Sequence, residues 1–212
     1  PSDSELVALG VLFSEMVHLV VPADSEIDEL SDLSGRRVGV GAVGSGSLFN
    51  ALDVLAAADV PDVHLDFSSV YLLERVTQGQ LDAAFVTRKK PSNELIVDGN
   101  YKVVSISEPS LFDAPYYQEV QFPPEYGEGT SIQLHAVLVG HKDLPEQVVT
   151  ELLDLGNLSV DGITIPLHPA AERWFKDRGA EIPEIGGDFE PPDLPALPPV
   201  ETVSETEDDG LP

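Results

Sequence analysis

Residues Gly35–Leu48 are GRRVGVGAVGSGSL, a stretch that predicts a short strand, a glycine-rich loop and the first turn of a helix. The valines favour the strand, and the glycines after it let the backbone turn sharply and approach a ligand closely. Ser45 or Ser47 is expected to cap the helix, whose first N–H groups and positive dipole end then face the loop. Because carboxylates and phosphates bind at such helix ends, this stretch predicts an anion-binding loop.

Predicted strands and helices alternate on both sides of this loop. The predicted strands cover residues 17–21, 38–40, 63–67, 81–87, 101–106 and 131–139. The predicted helices cover residues 26–33, 70–77 and 145–155, besides one after the loop with Leu48, Leu52 and Leu55 on its apolar face. Asp143 and Glu146 are expected to form a capping pair for the last of these helices. This alternation favours βαβ units, and therefore an α/β fold with a mixed, mostly parallel central sheet that has helices on both faces.

The composition limits the partners that this chain can have. Its formal net charge is −27, from 38 acids and 11 bases. Nucleic acids and anionic membrane surfaces would be repelled by this charge, so the expected partners are cations or small solutes. Such acidity with few lysines is also typical of a protein that stays hydrated in high salt. The chain has no cysteine, which excludes disulfides and thiolate metal sites.

Two regions are predicted along the chain. Residues 1–182 are expected to form one folded α/β domain, and residues 183–212, which are Pro-rich and acidic, a tail or linker. Within the domain, residues 108–130 are rich in Pro, Tyr and Gly and are predicted to form a long surface excursion. Nothing in the sequence resembles a signal peptide, and the apolar segment at 7–21 contains polar residues and is too short to span a bilayer.

The predicted ligand-binding residues lie in the loop, at one strand end and in the excursion. Thr87 and Arg88 end a predicted strand, at the carboxyl edge where open α/β sheets bind ligands. Tyr117 lies in the excursion and is expected to wall the pocket. The full predicted set is Gly44, Ser45, Gly46, Ser47, Thr87, Arg88 and Tyr117.

No catalytic residue, metal ligand or cofactor is predicted. The five histidines lack the spacing of metal ligands, and the two loop serines have no base nearby and no nucleophile-elbow pattern. We therefore expect a binding protein and not an enzyme. A nucleotide-dependent oxidoreductase or transferase is an alternative, because Gly39–Gly44 formally matches GxGxxG and Asp66 ends the next strand.

Four segments resemble type II periplasmic solute-binding proteins. LSDLSGRRVGVGAVGSGS (Leu30–Ser47) and LLERVTQGQLDAAFVT (Leu72–Thr87) are similar to the strands, loop and helices that open the second lobe of these receptors. IPLHPAAERWFKDRG (Ile165–Gly179) is similar to the carboxy-terminal signature of the TAXI family, the solute receptors of one branch of TRAP transporters. ALGVLFSEMVHLVV (Ala8–Val21) resembles the run that precedes the crossover into the second lobe.

This resemblance implies a receptor that closes on a small carboxylate-bearing solute, with amino acids and dicarboxylates among the ligands. It also implies ligand contacts at Gly44–Ser47, an extracytoplasmic location and a membrane transporter as partner. The family has about half a lobe more before the point that corresponds to Pro1, so the chain is expected to correspond mainly to the second lobe. The alternative function is a ligand-sensing or interaction domain of a larger membrane protein, with a reduced or repurposed cleft.

Overall fold

The structure is a computed structural model that describes residues 5–68, 70–89 and 99–185. One seven-stranded sheet holds the strands β1 (Leu6–Pro22), β2 (Arg37–Gly39), β3 (His64–Asp66), β4 (Ala83–Arg88), β5 (Tyr101–Val104), β6 (Gln118–Gln121) and β7 (Thr130–His141). The α-helices of the described residues are α1 (Gly46–Ala57), α2 (Leu72–Thr77), α3 (Glu146–Leu155) and α4 (Pro169–Asp177). No helix in this described part is long and apolar enough to cross a membrane.

The strands β2, β3 and β4 form the parallel part of the sheet. β2 lies between β3 and β4 and pairs in parallel with both. α1 connects β2 to β3, and α2 connects β3 to β4 past β2, so right-handed connections place the two helices on opposite faces. The other pairings of the described strands are antiparallel. The predicted mixed α/β fold is confirmed, although parallel pairing is confined to three strands.

Separate apolar clusters fill the two faces of this sheet. Because side chains of a strand alternate between the faces, Val17 and Leu19 of β1 pack with α1, whereas Val20 packs with α2. On α1 the predicted apolar face is confirmed, since Leu48 and Leu52 are buried in the larger cluster together with Leu55. This packing holds α1 against β4 and fixes its amino end at one edge of the sheet.

The strands β1 and β7 continue beyond this part of the sheet as an antiparallel ribbon. Residues 6–16 of β1 pair with residues 133–141 of β7, with register shifts between Ala8 and Gly10 and between Val11 and Phe13. The ribbon packs there on α3 and α4, which close a second, smaller apolar core. In the described residues, this smaller core is thus separate from the two clusters on the faces of the sheet, although all three use the same long strand β1.

Some local predictions are wrong. Residues 26–33 contain only a 3-10 turn at Leu30–Leu33, and Asp143 does not cap α3, which begins after Pro145 without a side-chain hydrogen bond. The excursion is more regular than predicted, because β6 pairs with β7 and a 3-10 turn packs on α1. The predicted tail at 183–212 lies, after its first three residues, outside the described residues.

Candidate functional site

The candidate site is a crevice at the carboxyl ends of β2 and β4. The chain leaves β2 towards β3, whereas the strand after β4 is β5, which lies on the far side of β1. Neighbouring strands whose connections diverge in this way leave a crevice between them, and ligands of open α/β sheets bind there. The glycine loop and the start of α1 follow β2 at this edge, and Thr87 and Arg88 end β4.

A sharp turn at Gly41 begins the glycine loop. Gly41 has a φ of +91°, and a Cβ at this position would lie 3.0 Å from Ser45 Oγ and 3.3 Å from Ser47 Cβ. A side chain at residue 41 would therefore be strained and would press on the loop. The tight turn lets Ser45, the N-cap of α1, accept a hydrogen bond from the Leu48 N–H at 3.2 Å. Of the two serines predicted as caps, Ser45 is the cap.

Two backbone N–H groups at the start of α1 remain available to a ligand. Gly46 and Ser47 are the first two residues of α1, and the residues that the structure describes offer no acceptor to their N–H groups. Gly44 and Gly46 are exposed, and a Cβ added to either would meet nothing within 4 Å. The loop thus presents backbone donors beside open space.

Hydroxyl groups join this loop to the end of β4. The Thr87 N–H donates to Ser47 Oγ at 3.3 Å, and the side chains of Thr87 and Asn50 are joined by a hydrogen bond of 2.9 Å. Because Ser47 Oγ accepts a hydrogen bond, its own proton can be donated elsewhere. The structure therefore brings the loop residues of the predicted set together with Thr87.

Tyr117 is connected to this group through Asn50. Its side chain is only 5% exposed, and its hydroxyl oxygen lies 2.8 Å from Asn50 Oδ1 and 2.8 Å from Asp53 Oδ2. Tyr116 also hydrogen-bonds to the Asp53 carboxyl, and the two tyrosine rings meet edge to face at 4.6 Å. The excursion is thereby held on α1, and Tyr117 supports Thr87 from within the protein.

Burial changes the acid–base properties of this network. Burial raises the pKa of the Asp53 carboxyl above its ordinary value, and hydrogen bonds from Tyr117 and Tyr116 partly oppose the shift. Burial also raises the pKa of Tyr117, and the neighbouring Asp53 charge adds to the effect. Tyr117 therefore keeps its proton at neutral pH, whereas Asp53 takes up a proton at a higher pH than an exposed aspartate does.

Two basic residues lie where β4 ends. Arg88 is half-buried and is paired in register with Met16, and Lys89 places its Nζ 4.0 Å from the centre of the Phe13 ring. These are two adjacent cations in a chain with a net charge of −27, and the carboxylate of Glu15 lies close enough to Lys89 to offset part of their charge. The predicted ligand contact of Arg88 stays a prediction.

The carboxylate that a dinucleotide site would need is already engaged by a cation. Arg75 donates to both oxygens of Asp66, at 2.7 and 2.8 Å, and also to Ser68 Oγ. The bond with Arg75 holds the pKa of Asp66 well below its ordinary value. Gly39 is the last residue of β2 and not the first of the loop. Asp66 is therefore held by Arg75, and the glycine spacing differs from that of a dinucleotide-binding loop.

Asn50 and Asp53 belong to this hydrogen-bond network but not to the predicted set. Both lie outside the predicted apolar face of α1, yet Asn50 is buried and Asp53 half-buried because the excursion covers them. Two signals point to them in retrospect: polar residues three positions apart on one helix, and the consecutive Tyr116 and Tyr117 in a distant segment. Neither signal says which helix the tyrosines would cover.

Two open pockets lie away from the crevice. One, of about 370 Å³, lies between α1 and β3 and is lined mainly by apolar side chains, among them Leu52 and Leu65. The other, of about 300 Å³, lies at the amino ends of β2 and β4, beside an ion pair of 2.8 Å between Arg37 and Asp82. Neither pocket is lined by a residue of the predicted set.

Comparison with known proteins gives a family and a group of similar folds. Residues 2–155 match the NMT1-like family. Among solved structures, the chain is similar to the substrate binding protein of an amino acid ABC transporter (14% identity, TM-score 0.42, 80% of this chain and 57% of that one). It is also similar to the arginine-bound form of truncated ArgBP from T. maritima (12% identity, TM-score 0.43, 71% of this chain and 58% of that one). A further similar structure is the periplasmic aliphatic sulphonate binding protein SsuA from Escherichia coli (18% identity, TM-score 0.42, 73% of this chain and 45% of that one). The chain thus spans 45–58% of the length of these proteins.

Proposed function

The chain belongs to the NMT1-like family, and from this premise we propose that it is an extracytoplasmic solute-binding domain. In this proposal the crevice between β2 and β4 receives a small carboxylate-bearing solute of the amino acid or dicarboxylate class. One observation carries it: the diverging connections of β2 and β4 bring the open Gly44–Ser47 loop and the Thr87 side chain to one place.

The chemistry of the crevice suits a carboxylate. The N–H groups of Gly46 and Ser47 and the Ser47 hydroxyl are donors, and the cationic Arg88 and Lys89 follow Thr87 in the sequence. A hydrogen bond to a charged group contributes about 1.5–3 kcal/mol, so one such contact binds weakly and several together are needed for a useful affinity. A second surface that closes over the ligand would supply further contacts.

A finer proposal concerns the transport partner. The resemblance of Ile165–Gly179 to the TAXI signature supports a receptor for TRAP-type transport. This segment lies beyond the residues that match the NMT1-like family. It contains α4, which packs on the β1–β7 ribbon in the smaller core. We therefore propose the membrane transporter as a partner on the basis of this segment alone. The proposal of a ligand crevice does not depend on it.

A second candidate function is an interaction domain of a larger membrane protein. The observation in its favour is an exposed apolar stripe on α3, where Val148, Leu152 and Leu155 are 40%, 40% and 87% exposed. Their spacing places them on one side of the helix, away from the buried Val149 and Leu153. Exposed apolar patches of this kind are typical of protein contacts.

Replacing Gly46 by proline is expected to weaken carboxylate binding by about ten- to a hundredfold, the contribution of one hydrogen bond to a charged group. Gly46 is the first residue of α1, where proline fits because the helix needs no N–H at that position. Ser45 before it has a ψ of 150°, an extended conformation that tolerates a following proline. The substitution thus removes one donor and keeps the fold. Calorimetric titration with a panel of amino acids and dicarboxylates measures the affinity.

Gly46→Ala is the matched control. It adds a carbon to the same open space but keeps the N–H, so it is expected to bind like the wild type. If the proline and alanine variants bind equally well, the ligand does not contact the start of α1 and the proposal is wrong. If the wild-type chain binds no member of the panel but associates with another protein through α3, the second candidate function is supported instead.

A further inference from the structure

The hydroxyl group of Tyr117 has one proton and two neighbours that can accept it. Its oxygen lies 2.8 Å from Asn50 Oδ1 and 2.8 Å from Asp53 Oδ2. An ionised Asp53 and the Asn50 oxygen cannot both receive that single proton. One of the two must therefore donate to the Tyr117 oxygen: Asp53 when its carboxyl is protonated, or Asn50 when its amide is turned so that the NH₂ faces Tyr117.

When Asp53 is protonated, each hydrogen bond in the series from Asp53 to Thr87 is donated in the direction of β4. Asp53 donates to Tyr117, Tyr117 donates to Asn50 Oδ1, and Asn50 Nδ2 donates to Thr87 Oγ1 at 2.9 Å. The Thr87 oxygen then accepts, and its own proton is left for a partner in the crevice. This state favours an anionic ligand group.

With an ionised Asp53, the direction reverses. Tyr117 donates to the carboxylate, so Asn50 must offer its NH₂ to the Tyr117 oxygen and its amide oxygen to Thr87. The Thr87 hydroxyl then donates to Asn50 and offers only lone pairs to the crevice. This state favours a ligand group that donates, such as an ammonium.

We propose that Asp53 is a specificity-determining residue of the crevice: its proton sets the direction of the hydrogen-bond chain through Tyr117 and Asn50, and so decides whether Thr87 donates to the ligand or accepts from it. This inference rests on the proposed function for the position of the ligand. Asp53 does not touch the crevice itself, and it acts through three intervening side chains.

The other titratable groups around Asp53 do not produce this change. Asp53 is the one charged residue of α1. From the excursion, Tyr116 and Tyr117 face it, and burial raises the pKa of both, so that they keep their protons. The 3-10 turn packed on α1 ends at the exposed Asp113, which has no place in the chain of hydrogen bonds. The charged residue of β4, which also packs on α1, is Arg88, whose guanidinium is always protonated.

Nuclear magnetic resonance of the ligand-free full chain tests the coupling directly. The Asn50 side-chain amide is expected to shift with the same midpoint pH as the Asp53 carboxyl carbon. In Tyr117→Phe the link is removed, so the Asn50 amide is expected to stop following Asp53. Tyr116→Phe is the matched control, because Tyr116 also hydrogen-bonds to Asp53 but is not one of the links from Asp53 through Tyr117 and Asn50 to Thr87. It changes the midpoint and keeps the coupling.

Calorimetry with L-glutamate, at one pH below and one above the Asp53 midpoint, tests the effect on the ligand. The affinity is expected to be about ten- to a hundredfold higher below the midpoint, since one donor to a carboxylate is gained. Asp53→Asn, whose amide donates at every pH, is expected to bind at both values like the wild type at the lower one.

The outcomes separate this inference from the proposed function. If the Asn50 amide does not follow Asp53, or if glutamate binds with the same affinity at both pH values, the inference is overturned. If the amide follows Asp53 but glutamate and the rest of the carboxylate panel do not bind at any pH, the proposed function is overturned while the hydrogen-bond chain remains. Coupling together with pH-dependent binding supports both.

Discussion

Replacing Gly162 by alanine is expected to lower the free energy of unfolding by about 2–5 kcal/mol, the sum of two costs. Gly162 has a φ of +79°, and this left-handed conformation costs a residue with a Cβ about 1–2 kcal/mol. The new Cβ would also overlap the His135 ring, and overpacking costs about 1–3 kcal/mol. Since domains are stable by about 5–15 kcal/mol, urea unfolding will measure this loss easily.

Neither partner in this overlap can move aside easily. His135 lies in β7 opposite Ser14 of β1, and its Nδ1 is 3.2 Å from Ser14 Oγ. On the other side, Val160 and Ile163, which lie two residues before and one residue after Gly162, are buried in the smaller core and hold the loop in place. The cost is therefore expected to appear as lost stability of the ribbon and the smaller core.

Gly179→Ala is the matched control for this prediction. Gly179 has a φ of +81°, and a Cβ at this position meets nothing within 4 Å. Gly179→Ala should therefore lower the free energy of unfolding by only the conformational cost of about 1–2 kcal/mol. The double variant His135→Ala/Gly162→Ala has no ring for the new Cβ to overlap. It should therefore recover the part of the stability loss that the overlap causes, so the two single losses should not add. Equal losses for Gly162→Ala and Gly179→Ala would contradict the prediction.

The parts of the fold that local chemistry decides could be predicted from the sequence. The glycine loop, the Ser45 cap and the apolar face of α1 depend on residues within one helical turn of each other, and all three are present. The ends of β4 and β7 lie within two residues of their predicted positions for the same reason, since apolar residues make up most of each predicted strand. Local patterns were thus sufficient where the contacts are local.

The rest depends on contacts between distant segments. β1 extends over 17 residues although Ser14, Glu15 and His18 interrupt its apolar pattern. Pairing with β7 and β4 supplies hydrogen-bond partners to its backbone. Ser14 also hydrogen-bonds to His135, which lies more than 100 residues later in the sequence. Asn50 and Asp53 are likewise covered by a segment that follows them by more than 60 residues. Their burial is a tertiary property, which periodicity within α1 cannot indicate.

The stability of the protein is expected to fall by about 3 kcal/mol between pH 7 and pH 4 because of His18 alone, given about 1.4 kcal/mol per pKa unit. His18 is fully buried, and burial lowers its pKa from 6.5 to about 4. Its Nδ1 donates to the Val86 carbonyl at 3.2 Å, which leaves Nε2 as the acceptor for the Tyr126 hydroxyl at 3.3 Å. The folded protein therefore holds a neutral ring in one tautomer.

The direction of the pH effect follows from the two protonation equilibria. Below pH 6.5 the unfolded chain binds a proton on His18 while the folded protein does not. Acidification therefore favours the unfolded state until the folded ring is also protonated near pH 4. The contribution of the neutral His18 to the stability of the folded protein is complete above pH 6.5 and is lost as the pH falls towards 4. Urea unfolding at a series of pH values, at constant high ionic strength, measures the slope.

His18→Asn isolates this contribution from that of the carboxylates. The asparagine amide can donate to the Val86 carbonyl from nearly the position of Nδ1, but it does not titrate. The difference in unfolding free energy between wild type and His18→Asn is therefore expected to shrink by about 3 kcal/mol from pH 7 to pH 4. The same substitution at the exposed His64 is the matched control, because it replaces a histidine that is not buried between β1 and β4. Parallel curves for wild type and His18→Asn would mean that His18 is protonated in the folded protein, and with it that the β1–β4 interface admits a charge.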